Sequence, residues 1–213
     1  MVLGANDGII STACLILGVA AADATRSSIL TAGMAGLVAG AVSMALGEYV
    51  SVSSQSDAER ADIAKEKWEL ETMPDHELDE LTAIYASKGL PQALAREVAE
   101  ELTKHDALAI HLAEELGITD TTAARPLQAA AGSAGAFTIG AAVPLVTAAL
   151  ASSSARITST LVVVTAALAT LGWTGARFGQ ADTGKPTVRV VIGGLAAMGI
   201  TMAVGKLFGA AIA

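Results

Sequence analysis

Residues 28–72 read SILTAGMAGLVAGAVSMALGEYVSVSSQSDAERADIAKEKWELET, a stretch without proline in which only Gly33, Gly36, Gly40 and Gly47 weaken helix propensity. Its first half is apolar and its second half charged, so a single helix is expected to cross a hydrocarbon core, leave it near Val50 and continue into water. At 1.5 Å per residue, Ser51 to Glu71 would project about 30 Å beyond the membrane. The change of character within one helix divides the chain into an apolar part and a polar insert.

Outward from this stretch, the composition supports a membrane setting. The chain has 213 residues, of which 53% are hydrophobic and 16% charged, with a mean hydropathy of +0.55. Soluble domains are more polar. Five runs, Met1 to Ala22, Ile29 to Val50, Leu127 to Ala151, Ile157 to Ala176 and Val188 to Ala213, reach the roughly 20 apolar residues that a helix needs to cross a bilayer core of about 30 Å. Only Asp7, Glu48, Arg189 and Lys206 place charge within them. The expected fold is therefore an all-α integral membrane protein: residues 1–50 hold the first two transmembrane helices, residues 51–125 a helical insert, and residues 126–213 the last three. Aromatic residues make up 3% of the chain, so helix contacts must rely on small side chains. The pairs Gly36/Gly40, Gly175/Gly179 and Gly205/Gly209 have the spacing for close helix approach in lipid, although alanine-rich spans also carry such pairs by chance.

The insert, Ser51 to Arg125, holds seventeen acidic and seven basic residues for a net charge of −10, whereas the remainder carries +2. All three histidines, His76, His105 and His111, lie in it. Such a surface attracts cations and disfavours nucleic acid, but acidic helices are also often simply solvated. An odd number of spans puts the insert on the same side as the N-terminus and the loop around Ala181 to Pro186. That side carries ten basic residues, including Arg177, Lys185 and Arg189, against Arg26, Arg156 and Lys206 opposite, so the insert is expected to be cytoplasmic. Cys14 is the single cysteine, which excludes an intrachain disulfide and a cysteine-based metal site. No basic region precedes the first apolar run, so a cleavable leader is not expected, and an abrupt start at Met1 is also what a chain lacking an upstream segment would show.

Within the insert, Pro74 follows Thr72 and opens a new helix with Asp75, His76 and Glu77 in its acidic first turn. Gly89 stops that helix, Pro91 starts a third that runs to about Lys104, and a fourth runs from Asp106 to Leu116 before Gly117. Glu66 and Glu69 then share one helical face, Glu77 and Glu80 another, and the turn at Met73–Pro74 lets the two faces meet. Four converging carboxylates repel one another unless a cation neutralises them, which favours Fe²⁺, Mn²⁺ or similar ions. His111 and Glu115, one turn apart on the fourth helix, are placed to close the site. His76 and His105 are expected on the surface. E-x-x-E spacing is also frequent on solvated helices, so spacing alone leaves both readings open.

In the membrane half, Asp7 lies within Gly4-Ala-Asn-Asp-Gly8, where a carboxylate needs a partner, water or a cation. Met44 and Glu48 are one turn apart on the second span, so a thioether and a carboxylate can line one path. Two alternatives stand beside this: Glu48 at headgroup level facing water, and Met44 as simple packing.

Taken together, Gly4 to Gly8, the run Gly40-Ala-Val-Ser-Met-Ala-Leu-Gly-Glu-Tyr49, the following Val50-Ser-Val-Ser-Ser-Gln55 and the E-x-x-E pairs resemble the vacuolar iron transporter family in its bacterial form, over essentially the whole chain. The resemblance implies a proton-coupled exporter of cytosolic Fe²⁺, and of Mn²⁺, working as a homodimer with the ion path at the subunit interface. It implies that Asp7 is the pathway aspartate and Met44 part of the constriction. It further implies that Glu66, Glu69, Glu77, Glu80 and Glu115 are glutamates of a cytoplasmic metal-binding domain. His111 stands where eukaryotic members carry methionine, and Gly36 where they carry a pathway glutamate; Glu48 is the expected substitute for that missing carboxylate. No prosthetic group and no enzymatic activity are expected: Fe²⁺ or Mn²⁺ is bound as substrate, with protons, lipid and a second copy of the chain as partners. The implied location is a bacterial inner membrane. Two rival classes are a membrane-anchored diiron oxidase, which usually pairs Glu with His at i,i+3, and a metal-sensing or interaction protein that binds metal and moves none.

Overall fold

A computed structural model describes residues 2–119 and 124–212. Its elements are α1 (Val2–Ala21), α2 (Arg26–Thr72), α3 (Pro74–Ser87), α4 (Gln92–Glu114), α5 (Pro126–Leu150), α6 (Arg156–Phe178) and α7 (Gly184–Ile212). The chain forms two compact units, Met1–Tyr49 with Leu127–Ala213, and Val50–Pro126. Helix α2 passes without interruption from one to the other, as its proline-free sequence requires. It begins at Arg26, two residues ahead of the stretch read from Ser28, because Thr25 Oγ1 accepts a hydrogen bond from the Ser28 amide at 3.2 Å and caps the first turn. Helix α7 likewise begins at Gly184, whose amide donates to Asp182 Oδ1 at 2.7 Å, so Gly184 to Pro186 are helical rather than loop.

Helices α1, α2, α5, α6 and α7 are long and apolar enough to cross a membrane, so the chain is a multi-pass membrane protein. In this unit α1 packs on α6 and α7. Ile9, Ala13 and Leu17 meet Val164, Leu168 and Met198 on one side, and Ile16 meets Ile29 and Ala148 on the other. Glycine allows the closest approaches. A Cβ at Gly205 would run into the Gly18 carbonyl and one at Gly209 into Ala22, so this pair sits at a real α1–α7 crossing. Gly175 and Gly179 behave differently: Gly175 has only the Val2 side chain at 3.4 Å, and Gly179 only its own helix. Among the glycines, the closest α1–α5 approaches fall at Gly8 and Gly140, against the carbonyls of Phe137 and Ala5; Gly4, in GxxxG spacing with Gly8, faces Ser133 O and Ala136 of α5 as well. Met34, Val38, Val42 and Leu46, four residues apart on α2, are all exposed, which suits a face in contact with hydrocarbon.

The C-terminal carbonyls of α5 are held by two arginines. Buried Arg156 donates from Nε to Ala148 O at 3.1 Å, and Arg26 donates to Ala149 O at 2.6 Å. Cations here satisfy orphan carbonyls and oppose the negative end of the helix dipole. In the sequence both had been only loop charges.

In the second unit α3 packs on α4 around Leu81, Ala95 and Ala99. Arg96 of α4 joins Asp79 of α3, and Lys88 joins Glu114. Gly89 and Gly117 take φ of +101° and +66°, left-handed conformations that explain glycine at both helix ends. Helix α4 breaks at Asp106, where φ is −159° and ψ 88°. Asp106 Oδ1 accepts from the Ala109 amide at 3.0 Å and caps a second segment, so the expected pair of helices is present with its break in place. The expected end at Leu116 falls two residues late.

Candidate metal centre and membrane cavity

The break at Asp106 matters because it turns the segment bearing His111 and Glu115 relative to the rest of α4. Glu66 of α2, Glu77 of α3, and His111 and Glu115 at the end of α4 then converge. Each offers one ligand atom within 4.8 Å of the others. Atoms around one cation at about 2.0–2.6 Å stand no more than about 5 Å apart, so the spacing fits a single ion. His111 Nδ1 lies 3.0 Å from Glu66 Oε1, 3.7 Å from Glu77 Oε2 and 3.8 Å from Glu115 Oε2. His111 is 0% exposed, and Glu66 and Glu77 are each 2% exposed.

Burial of this kind normally demands partners, because an unpaired polar atom removed from water destabilises the fold. Glu66 Oε1, both ring nitrogens of His111 and Glu115 Oε2 make no hydrogen bond, the 3.0 Å approach of His111 Nδ1 to Glu66 Oε1 included. Orphaned donors and acceptors pointing at one another are what a cation would satisfy. Three carboxylates with one imidazole suit a borderline divalent ion such as Fe²⁺ or Mn²⁺ rather than a thiophilic one. The electrostatics agree: burial, with Glu115 and Glu77 adding to it, pushes the Glu66 carboxyl up to about 7. Glu115 is also raised, by burial and then by Glu80, against an opposing effect of His111.

A second group shares a member with the first. His76, Glu77 and Glu80 also bring ligand atoms within 4.8 Å. Glu77 Oε1 faces His76 Nδ1 at 3.4 Å, while its Oε2 faces His111. His76 is on the surface, as expected, with 71% of its side chain exposed, yet it belongs to a ligand group that the sequence reading did not give it. Its position one residue before Glu77 and one turn before Glu80 was the available signal. Glu69 falls outside both groups and pairs with Lys65 Nζ at 2.8 Å. His105 is exposed on α4.

In the membrane unit a cavity of about 360 Å³ opens between α1, α2 and α5, and Asp7, Met44 and Gly36 all line it. The α1 residues Asp7, Ser11, Thr12 and Leu15 form one helical face along its wall. Ser11 Oγ is tied to the Asp7 carbonyl at 2.6 Å. Gly36 and Gly40 keep α2 low, facing the Leu15 side chain and the Phe137 ring. Glu48, one turn beyond Met44, is half-buried and is not among the lining residues. Thr12, Ser43 and Phe137 line the cavity without having been singled out in the sequence, where isolated hydroxyls and one aromatic ring give no periodic signal.

The VIT family model matches residues 1–206 of the chain. A vacuolar iron transporter of Acanthamoeba castellanii is 43% identical over 207 residues, covering 97% of this chain and 76% of that protein. Vacuolar iron transporter homolog 5 of Oryza sativa subsp. japonica is 38% identical, over 97% of this chain and 78% of its own length. Vacuolar iron transporter homolog 1 of Arabidopsis thaliana is 37% identical, over 98% and 81%.

Proposed function

This chain belongs to the VIT family, and we propose that it exports cytosolic Fe²⁺, with Mn²⁺ as a second substrate, in exchange for protons. The observation that carries this reading is the set of orphaned, buried ligand atoms on Glu66, His111 and Glu115 beside Glu77. In the proposal the insert lies in the cytoplasm, captures the cation with these residues, and uses His76, Glu77, Glu80 and the neighbouring Glu69 to raise its local concentration. The ion then crosses by way of the cavity lined by Asp7 and Met44. A carboxylate that holds either a proton or a metal makes the two compete, and this competition is the physical basis of exchange. Glu48 is proposed as a second exchanging carboxylate beyond the cavity. The working unit is a homodimer in a bacterial inner membrane, with lipid around it and no prosthetic group.

The test is Fe²⁺ and Mn²⁺ uptake into sealed proteoliposomes under an imposed pH gradient, with the parent beside Asp7→Ala. Gradient-driven uptake that disappears in the variant is expected. Metal binding with no uptake would favour a sensor, and rapid oxygen consumption on adding Fe²⁺ to the purified protein would favour an oxidase. For Glu48, the decisive variant is Glu48→Gln: transport equal to the parent's across the pH range would remove it from the exchange.

A further inference from the structure

Helix α7 has two opposed faces. Thr187, Val191, Gly194 and Met198 turn inward: the Thr187 backbone lies against Gly172 of α6, a Cβ at Gly194 would meet Leu168, and Met198 is buried in the core with Val191 packed on it. Lys185, Val188, Arg189, Ile192 and Ala196, which share the other helical face, are all exposed. That face is cationic at the start of the helix and apolar in the turns that follow. Its cationic end borders an open groove of about 570 Å³ lined by Asp182, Gly184, Lys185, Val188 and Arg189.

The two cations of the groove differ from the other arginines of the membrane unit. Arg26 and Arg156 bond the last carbonyls of α5, and Arg177 lies over the Trp173 ring at 5.8 Å. Among the described residues, no hydrogen bond, ion pair or ring contact takes up Lys185 or Arg189. Asp182, the one acid of the groove, is turned to the start of α7, where its Oδ1 accepts from the Gly184 amide. Arg189 also stands one turn inside the helix, level with the first apolar residues of the span, where a charge without a partner is costly. Lys206, near the other end of α7, is exposed and unpaired too, but the next cation on its helix is Arg189, more than four turns away.

We propose that this face binds one anionic glycerophospholipid of the surrounding membrane, its phosphate held by Lys185 and Arg189 and its acyl chains laid along Val188, Ile192 and Ala196. The proposal needs only the multi-pass membrane setting and is independent of the transport reading. Arginine presents a planar fork that matches two phosphate oxygens, and lysine a compact charge with three donors, so the pair recognises a phosphodiester. The order of residues identifies the phosphate as a lipid's. Ile192 stands about 5 Å beyond Arg189 along the helix axis, so contact with hydrocarbon begins where the phosphate ends. A soluble anion would leave the apolar turns unused. Trp173, exposed on α6 one residue from the Gly172–Thr187 crossing, marks the same interfacial level, where tryptophan is enriched.

Native mass spectrometry of the full chain in detergent tests it, with phosphatidylglycerol and phosphatidylcholine of the same acyl chains as probes. The parent should retain one phosphatidylglycerol per chain and release phosphatidylcholine first. A cation near the membrane surface is worth about fivefold in affinity for an anionic lipid, so Lys185→Gln combined with Arg189→Gln should weaken phosphatidylglycerol about 25-fold and leave phosphatidylcholine unchanged. Lys185→Arg combined with Arg189→Lys keeps both charges and should bind nearly as the parent does, as should Lys206→Gln. If the double glutamine variant does not fold, each single variant carries an expected loss of about fivefold. Equal retention of the two lipids by the parent would overturn the proposal, the cations then simply reaching water. An equal loss in Lys206→Gln would overturn it as a general effect of net charge. Inorganic phosphate competing at the same concentrations as phosphatidylglycerol would overturn it in favour of a soluble anion. A change from dimer to monomer in the double glutamine variant, with no lipid released, would assign the face to a second copy of the chain.

Discussion

The cluster in the insert and the cavity in the membrane unit draw on similar residue types in opposite proportion. The cluster sets three carboxylates and an imidazole around one point, nearly all of them buried and several unpartnered. The cavity holds a single carboxylate among hydroxyls, a thioether and apolar wall. On the proposed reading, such a difference separates holding from passing. Many anionic ligands make a deep well that a cation enters readily and leaves slowly. One charge with neutral helpers makes a shallow well, as an ion that must move on requires. The two regions are also built differently: glycine brings helix backbones together in the membrane unit, whereas charged side chains link α3 to α4 in the insert.

The sharpest way to break the comparison is to remove one carboxylate from each region and read binding and transport separately. Asp7→Asn should reduce uptake at least about 100-fold, since loss of even an outer partner of a metal ligand costs about 10–100-fold. Equilibrium binding of Mn²⁺ to the solubilised protein should barely change, because the insert cluster is intact. Glu77→Gln should do the reverse. Glu77 is common to both ligand groups, so Mn²⁺ affinity should drop about 10–100-fold and the number of bound ions should fall. Uptake should suffer mainly at low metal, as a raised KM with little change in the maximal rate. A variant of either kind that removed binding and transport together would mean that holding and passing are one site.

A smaller effect comes from protons. With Glu66 held near 7, a metal entering the cluster below that pH must displace a proton. Mn²⁺ affinity should therefore fall about tenfold for each pH unit below 7, and isothermal titrations at pH 8 and 6 should differ by about that factor. The stability of the metal-free protein moves the opposite way. The unfolded chain has an ordinary glutamate pKa of about 4.3, so between there and 7 the folded state binds more protons, and chelated protein should become less stable as pH rises through that window. Added metal should reverse the trend, which melts at pH 5 and 7.5 with and without Mn²⁺ would show. An affinity independent of pH would mean that Glu66 is ionised before metal arrives.

Much of this architecture is legible from local chemistry. The spans follow from hydropathy and length. The corners at Pro74, Gly89 and Gly117 follow from backbone preference, and the break at Asp106 from a residue able to cap the next helix. The candidate ligands were also visible as types at helical spacing. What the spacing does not determine is the choice among them. Glu69 and Glu66 lie one turn apart on the same helix, yet only Glu66 turns into the cluster, and Lys65 holds Glu69 aside. His76 joins a group because Glu77 reaches both ways, a fact of packing between helices. Gly140 shows the same limit: its contact with Ala5 depends on which faces of α1 and α5 meet, and the GxxxG spacing of Gly4 and Gly8 on α1 does not say that α5 is the partner.

The smallest expected effects concern how each region is held together. Gly205→Ala places a methyl group against the Gly18 carbonyl of α1, a backbone atom that cannot swing aside. Overpacking of this kind costs about 1–3 kcal/mol, so the detergent-solubilised protein should melt several degrees lower. Gly199→Ala on the same helix meets nothing within 4 Å and should leave melting unchanged or slightly raised, because alanine favours helix over glycine. In the insert, Arg96→Ala removes contacts to Asp79 and Glu100 that are largely open to water. Screening and side-chain entropy leave such pairs little net effect, so no measurable shift in melting is expected. A large shift from Arg96→Ala, with none from Gly205→Ala, would invert the distinction between a backbone-packed membrane unit and an insert whose ion pairs are incidental to its stability. The insert would then depend on its charges for folding as well as for holding metal.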